Sequence, residues 1–292
     1  MSPPRPRVSS RRAWLLVAAA VCAAPAVVSA AGEVDALVAE GDGHYLRRAD
    51  GAHGGTADPR EADLAIQAYR RALAASPGDL EVLARLLRAV NFRGDFCGAD
   101  LEARKRIFED GRRLGQAAID RLEAGMAGKT PEQRLTALRA TPGAAAAYFW
   151  TAAAWGQWAL ARGTFAAARA GVAGRVRDLC ATVIALDPAL EEGGGYRVLG
   201  RLHDQAPRIP LLTGWVSRAK AVEYLRKSYE LGPRNPVTWF FLAVAILDHD
   251  PSHADEGRRL LRRCVDTPPR PDYYVESVRY AELARARLAE GR

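Results

Sequence analysis

Three segments far apart in the chain share one spacing, and that spacing limits the fold more than any other feature. Ala65-x3-Tyr69-x2-Ala72-x4-Pro77, Ala221-x3-Leu225-x2-Ser228-x4-Pro233 and Gly257-x3-Leu261-x2-Cys264-x4-Pro269 each read small, large, small, proline. Positions four and seven apart lie on one face of an α-helix. The small residues let a neighbouring helix approach, the large one fills the space between, and proline stops the helix. A helix built this way needs a partner. Tyr196-x2-Leu199-Gly200-x2-His203 and Trp239-x2-Leu242-Ala243-x2-Ile246 supply it, opening the pairs that Ser228 and Cys264 close. Ser76-Pro77 and Asp187-Pro188 mark earlier boundaries, and Leu83, Leu86 and Val90 give a degenerate first helix after Pro77.

Composition agrees with helices. The 292 residues include 57 Ala and 26 Gly, and 49% are hydrophobic, which suits close-packed helices better than a β-rich core and is too apolar for general disorder. The net charge of +8 raises the question of nucleic acid. Arg5, Arg7, Arg11 and Arg12 lie in an acid-free stretch ahead of an apolar run, and without them the balance is +4. That remainder is spread along Arg-rich helices with no dense basic stripe, so nucleic acid is not an expected partner.

Met1 to Arg12 is basic and Pro-rich, Ala13 to Val28 is apolar, and Val28-Ser29-Ala30 has the small-residue spacing of a signal-peptidase site. The expectation is a secretory signal over 1–30, cleaved near Ala30 or Ala31, and an exported, periplasmic mature domain over 31–292. The apolar run is short for a membrane helix, contains Pro25, and is followed by no second run of spanning length. Ser10-Arg11-Arg12-Ala13-Trp14-Leu15 resembles a twin-arginine signal, so two export routes stay open. Cys22 lies inside the run, but Val21 precedes it where a lipid-attachment site wants Gly, Ala or Ser, and anchoring there is not expected. Cys97, Cys180 and Cys264 are an odd, widely spaced set, not a disulfide framework, although one pair could close in an oxidising compartment.

The paired spacing resembles the tetratricopeptide repeat (TPR) family, with a period of roughly 34 residues. The resemblance implies an all-α, right-handed superhelical solenoid of antiparallel helix pairs with a concave binding face. About five pairs are expected, with a capping helix over Tyr273 to Glu290 that turns a polar face to water. The repeats are irregular, with a Gly-rich Ala49–Pro59 inside the first pair and a long insertion between His203 and Ala221. Insertions of this kind belong on one rim of a solenoid. A narrower resemblance rests on the order Tyr148-Phe149-Trp150, Trp155-Gly156-Gln157-Trp158, Leu186-Asp187-Pro188, Gly193 through His203, and Ala206-Pro207. It is similar to the TatT-type components associated with TRAP transporters. That likeness implies an exported TPR-like helper, often a lipoprotein, that pairs with a periplasmic TRAP-type solute-binding protein. It also implies delivery of apolar or organic-acid ligands, trimers as the assembly, and no chemistry of its own.

Tyr148, Trp150, Trp155 and Trp158 fall within a ~160° arc of one helix, wider than the stripe one neighbour covers. Either that helix is buried between neighbours, or part of the arc lines an apolar ligand cavity with polar handles. Gly193-Gly194-Gly195 follows a helix and is followed by no Lys, so it reads as a helix start at a close backbone approach and not as a phosphate cradle. Tyr196 follows it, and Arg197 and Arg201, four apart on one face, are placed to meet an anionic ligand or to stay solvated or ion-paired. Within the Gln205 to Val216 insertion, Ala206 to Trp215 holds two Pro, three aliphatics and Trp215, and must lid the groove or meet a partner. His249-x3-His253 with nearby acids has metal-binding residue types, but Pro251 breaks the helical spacing and a polar turn is expected. No hydrolase, metalloprotease, Walker or paired-Cys pattern occurs, so no enzyme, metal or cofactor is expected. The leading expectation is a binding and presentation protein using these eight residues; the alternative is a protein-only scaffold for envelope assembly.

Overall fold

The computed structural model describes residues 30–210 and 212–290 together with Met1. The expected signal segment up to Ser29, Cys22 included, and Leu211 in the long insertion lie outside the described residues. In chain order the helices are α1 (Ala30–Leu46), α2 (Pro59–Ala75), α3 (Leu80–Phe96), α4 (Leu101–Ala124), α5 (Pro131–Arg139), α6 (Ala144–Arg162), α7 (Thr164–Arg169), α8 (Val172–Leu186), α9 (Leu190–Gln205), α10 (Arg218–Leu231), α11 (Pro236–His249), α12 (Ala254–Asp266) and α13 (Tyr274–Ala289). No strand occurs among the described residues; His53 and Thr56 form an isolated bridge. Each long helix packs on the next in chain order, with α6 meeting α4 and α8. The fold is an all-α, TPR-like solenoid of five helix pairs, α1/α2, α3/α4, α6/α8, α9/α10 and α11/α12, with α13 at the end.

Local chemistry sets the boundaries. Asp58, Asp79, Asp100, Thr130, Ser217 and Asn235 each accept a backbone N–H at a helix start, and proline opens α2, α5 and α11. The repeated spacing is buried at all nine small and large positions. Its large residues sit on small ones of the partner helix. A Cβ on Gly41 would come within 2.5 Å of the Tyr69 ring, and one on Gly200 within 2.5 Å of Leu225 Cγ. At the third copy the roles reverse: a Cβ on Gly257 would lie 2.9 Å from Leu247 of α11. Interiors this dense leave no room for the extra carbon.

Two short helices lie outside the expected pairs. Thr130 and Gln133 form a capping box that starts α5, and Leu138 is its buried residue. Gly163 (φ 88°) and Gly171 (φ 63°) bracket α7, whose six residues separate α6 from α8. Neither element has the small-large-small spacing of the repeat.

The expected polar cap has a second role. α13 packs on α11 and α12, and its other side reaches the first pair. Val275 shares a core cluster with Tyr45, Ala65 and Phe92. Arg279 Nε donates to Gly55 O at 2.8 Å, and Gly55 N–H donates to Glu282 Oε1 at 3.1 Å. Arg48 donates to the Asp272 carbonyl and pairs with Glu276 at 3.5 Å, both side chains being almost wholly buried. The Gly-rich 49–58 insertion is therefore the seat of α13: a Cβ on Gly55 would fall 2.5 Å from Arg279 Cα. The array closes on itself. Cys97, Cys180 and Cys264 are free and buried in three different core clusters, so none is placed to pair with another. Burial pushes the thiols of Cys97 and Cys264 up to about 12.

Candidate functional site

The site begins at a strained helix start. Glu191, Glu192 and Gly193 all have positive φ (50°, 56° and 75°), a left-handed turn that is costly for the two glutamates. Their side chains and carbonyls are held from several directions. Glu192 accepts from Asn235 Nδ2 at 2.6 Å and Arg270 Nη1 at 2.8 Å, and Glu191 accepts from Tyr273 Oη at 3.1 Å. Arg197, 9% exposed, donates to the carbonyls of Glu191 and Glu192 at 3.1 and 3.3 Å and to Thr238 Oγ1 at 3.3 Å. The three glycines allow the close approach this needs: a Cβ on Gly193 would sit 2.9 Å from Ser228 Cα, and one on Gly194 2.6 Å from the Phe149 ring. The glycine run thus positions Arg197.

Arg197 lies on the wall of a cavity of about 650 Å³. The first helices of successive pairs build that wall: α3 gives Asp95, α6 gives Gly156 and Gln157, α9 gives Arg197 and Arg201, and α11 gives Phe240 and Phe241. Opposite them stands Tyr280 of α13, and the insertion after α9 folds over the space with Ile209, Leu212 and Thr213. Gly156, Gly163, Gly171 and Gly174 also line it, and a Cβ at any of them would meet no described atom within 4 Å. The wall is mainly apolar, with polar groups at fixed places. Gln157 Nε2 donates to Asp95 at 3.1 Å, and Arg104 lies 3.7 Å from the same carboxylate. Burial pushes the Asp95 carboxyl up against the opposing pull of Arg104, Arg279 and the Gln157 bond. Arg201 pairs with Asp204 at 2.6 Å and lies over the Phe241 ring at 4.2 Å. Arg197 has carbonyl and hydroxyl acceptors but no carboxylate partner among the described residues.

The eight sequence-predicted residues do not share one site. Arg197 and Arg201 line the cavity. Tyr148, Trp155 and Trp158 are buried on the opposite side of α6, against α4. Tyr148 donates to Glu123 at 2.5 Å, Trp155 Nε1 donates to Gln116 at 2.8 Å, and Trp158 Nε1 donates to Glu109. As α6 advances from 148 to 158, its partners recede from 123 to 109, as antiparallel helices require. Arg112 lies over both indoles, 4.4 and 5.0 Å from their centroids. Trp150 packs edge-on against Phe149. Tyr196 stacks on Tyr224 of α10. Trp215 donates to the Leu212 carbonyl and meets His203 edge-on at 5.4 Å, which pins the insertion without lining the cavity. His249 Nε2 donates to Asp204 and His253 pairs with Asp250, so the two histidines serve separate carboxylates.

Sequence reasoning missed Asp95, Gln157, Phe240, Phe241 and Tyr280. One signal was available. Residues 152–174 are crowded with Ala and Gly, and on the helix row Ala153, Gly156, Gln157 and Leu160 only Leu160 is bulky and apolar. A small-residue face without a large partner leaves space.

The fold and site together define a class: a TPR-like α-helical scaffold closed around an apolar cavity with charged wall positions. No protein-family model and no curated protein sequence matches the chain. Among solved structures it is similar to a MamA protein at 16% identity and a TM-score of 0.40, covering 88% of this chain and 96% of that one. A second MamA structure is similar at 16% identity and a TM-score of 0.37, covering 79% and 92%.

Proposed function

We propose that the chain binds and presents without catalysing: it encloses an amphiphilic small molecule with an apolar body and an acidic head, and offers it to a protein partner. The cavity carries this reading. Its volume suits a small organic molecule, its wall is mostly apolar, and Arg197 lacks a carboxylate of its own, so an organic acid supplies both the missing area and the missing charge. Export to the periplasm, as a single unit over 31–292, follows from the signal-like first thirty residues. Pairing with a TRAP-type solute-binding protein, and trimer formation, rest on the TatT resemblance, which covers most of the mature chain.

Native mass spectrometry and solvent extraction of the purified protein test the ligand. The expected outcome is a co-purifying organic acid that is lost in Arg197→Gln. An empty protein whose wild-type and Arg197→Gln forms bind a fluorescent fatty-acid analogue equally poorly would reject the cavity as a site. Pull-down from envelope extract should recover a TRAP-type solute-binding protein, and repeated recovery of unrelated proteins would reject that partner. The filling of the α4–α6 interface by Tyr148, Trp155 and Trp158 favours a second reading, a protein-only scaffold for envelope assembly. It predicts a partner with no ligand.

A further inference from the structure

We infer that the mouth of the cavity docks on an anionic lipid bilayer. Single exposed apolar residues are ordinary on any protein; a group of bulky ones around one opening is not. Leu160, Leu212 and Leu283 line the cavity and are still 61%, 58% and 42% exposed, which places them where the cavity meets water. Phe165, 79% exposed, follows the lining residue Thr164. These side chains come from the α6–α7 corner, the insertion after α9, and α13. Three separate segments thus converge, which the amphipathic pattern of one helix does not produce.

The segments that frame the mouth are basic. No Asp or Glu occurs from Gln133 to Arg177, or from Gln205 to Val222. Those stretches bring Arg162, Arg169, Arg175 and Arg208 to the segments that frame the opening. Arg169 and Arg175 are exposed and form no ion pair among the described residues, and Arg208 has only the Gly214 carbonyl, at 3.2 Å. Arg162 lies 3.9 Å from Glu109, a carboxylate already engaged by Arg112 and Trp158. Glu282, next to Leu283, is turned onto Gly55 N–H. The rim therefore suits a surface that is anionic and takes up separated apolar side chains one by one.

A bilayer rich in acidic lipid meets both demands: phosphates pair with guanidiniums while Phe165 and the leucines enter the acyl boundary. A rigid protein partner must match side chains spaced around a hole, and a fluid surface need not. The inference extends the cavity reading, because an amphiphile at a docked mouth passes from bilayer to cavity without crossing water.

Vesicle co-sedimentation tests it, using the full chain and, beside it, residues 31–292, the expected mature domain. With vesicles of 7:3 phosphatidylcholine and phosphatidylglycerol at 0.1 M NaCl, the 31–292 protein is expected to bind at least tenfold more tightly than to phosphatidylcholine alone. Raising NaCl to 0.5 M should remove most of that difference. Phe165→Ser with Leu212→Ser, and separately Arg169→Gln with Arg175→Gln, should each weaken binding about tenfold while the melting temperature holds. If a pair melts early, the four single variants replace it, each expected to lose two- to threefold. Equal binding to both vesicle types, no binding, or wild-type binding by all variants overturns the proposal. Capture by an immobilised acidic protein without vesicle binding overturns it in favour of a protein partner. Failure of the cavity reading is separable, because Gly156→Phe fills the cavity and leaves the rim, and should bind vesicles as wild type does.

Discussion

The two sides of α6 show opposite solutions within one helix. Toward α4 it presents Tyr148, Trp155 and Trp158, each with its polar atom answered by Glu123, Gln116 or Glu109, and the interface is full. Toward α9 and α13 it presents Ala153, Gly156 and Gln157, and the interface is a cavity. Bulk marks where the protein packs, and the lack of bulk marks where it keeps room. Large aromatics with polar handles draw attention as ligand contacts, but a neighbouring helix satisfies the same handles at ordinary hydrogen-bond distance.

Substitutions on either side should separate these two roles. Trp155→Ala should have the largest effect, a loss of about 3–5 kcal/mol of stability read by denaturant unfolding, since it opens a hole in a filled core and orphans Gln116. If stability held and only ligand binding fell, the filled side would be functional after all. Arg48→Met should cost about 3 kcal/mol by leaving Glu276 buried without its cation, and Arg48→Met with Glu276→Gln should recover much of it. Gly156→Phe, one residue from Trp155, should leave stability within about 1 kcal/mol yet weaken a fluorescent fatty-acid analogue at least tenfold, about 1.4 kcal/mol. Gly156→Ala should instead stabilise the fold by about 0.5–1 kcal/mol, because helix propensity rises and a Cβ meets nothing.

The smallest effect is a pH response of the insertion over the cavity. Ser217 N–H donates to His203 Nδ1 at 3.0 Å, so that nitrogen must be unprotonated in the closed segment. Burial, then Lys220 and Arg218, push the imidazole below its ordinary value of about 6.5. The opened form binds the proton more readily. Closure is therefore fully favoured above that ordinary value and weakens as pH falls from it toward the folded-state value. Protection of the amides over 212–217, taken relative to their intrinsic exchange rate at each pH, should fall a few-fold between pH 7.5 and 5.5, and His203→Gln should flatten the response. Unchanged protection would detach the insertion from His203.

Much of the solenoid was legible because the small-large-small-proline spacing is a local consequence of helix geometry. Gly41 on Tyr69 and Gly200 on Leu225 are that rule seen in coordinates. Gly193 to Gly195 likewise read correctly as a close backbone approach. α5 and α7 were not legible, because each is fixed by one turn signal and lacks the repeat's face. The seat of α13 on Gly55 joins residues 224 positions apart, and no periodicity encodes a contact of that separation. At the site, charge was legible and enclosure was not: Arg197 and Arg201 line the cavity, but Tyr280 reaches it only through the closure that brings α13 inward.

That closure changes what kind of object the protein is. An open repeat array can lose or gain a unit at either end, since each repeat answers only to its neighbours and stability adds along a line. Here the last helix is fastened to the first pair through Arg48, Gly55 and Val275. Removing or duplicating one pair would leave α13 out of reach of its seat, so the number of repeats is fixed by geometry. Fraying from an end is also suppressed, because neither end is free, and the array should unfold as one cooperative ring. A lineage that inherits this closure can reshape its loops and its cavity wall, but it cannot lengthen.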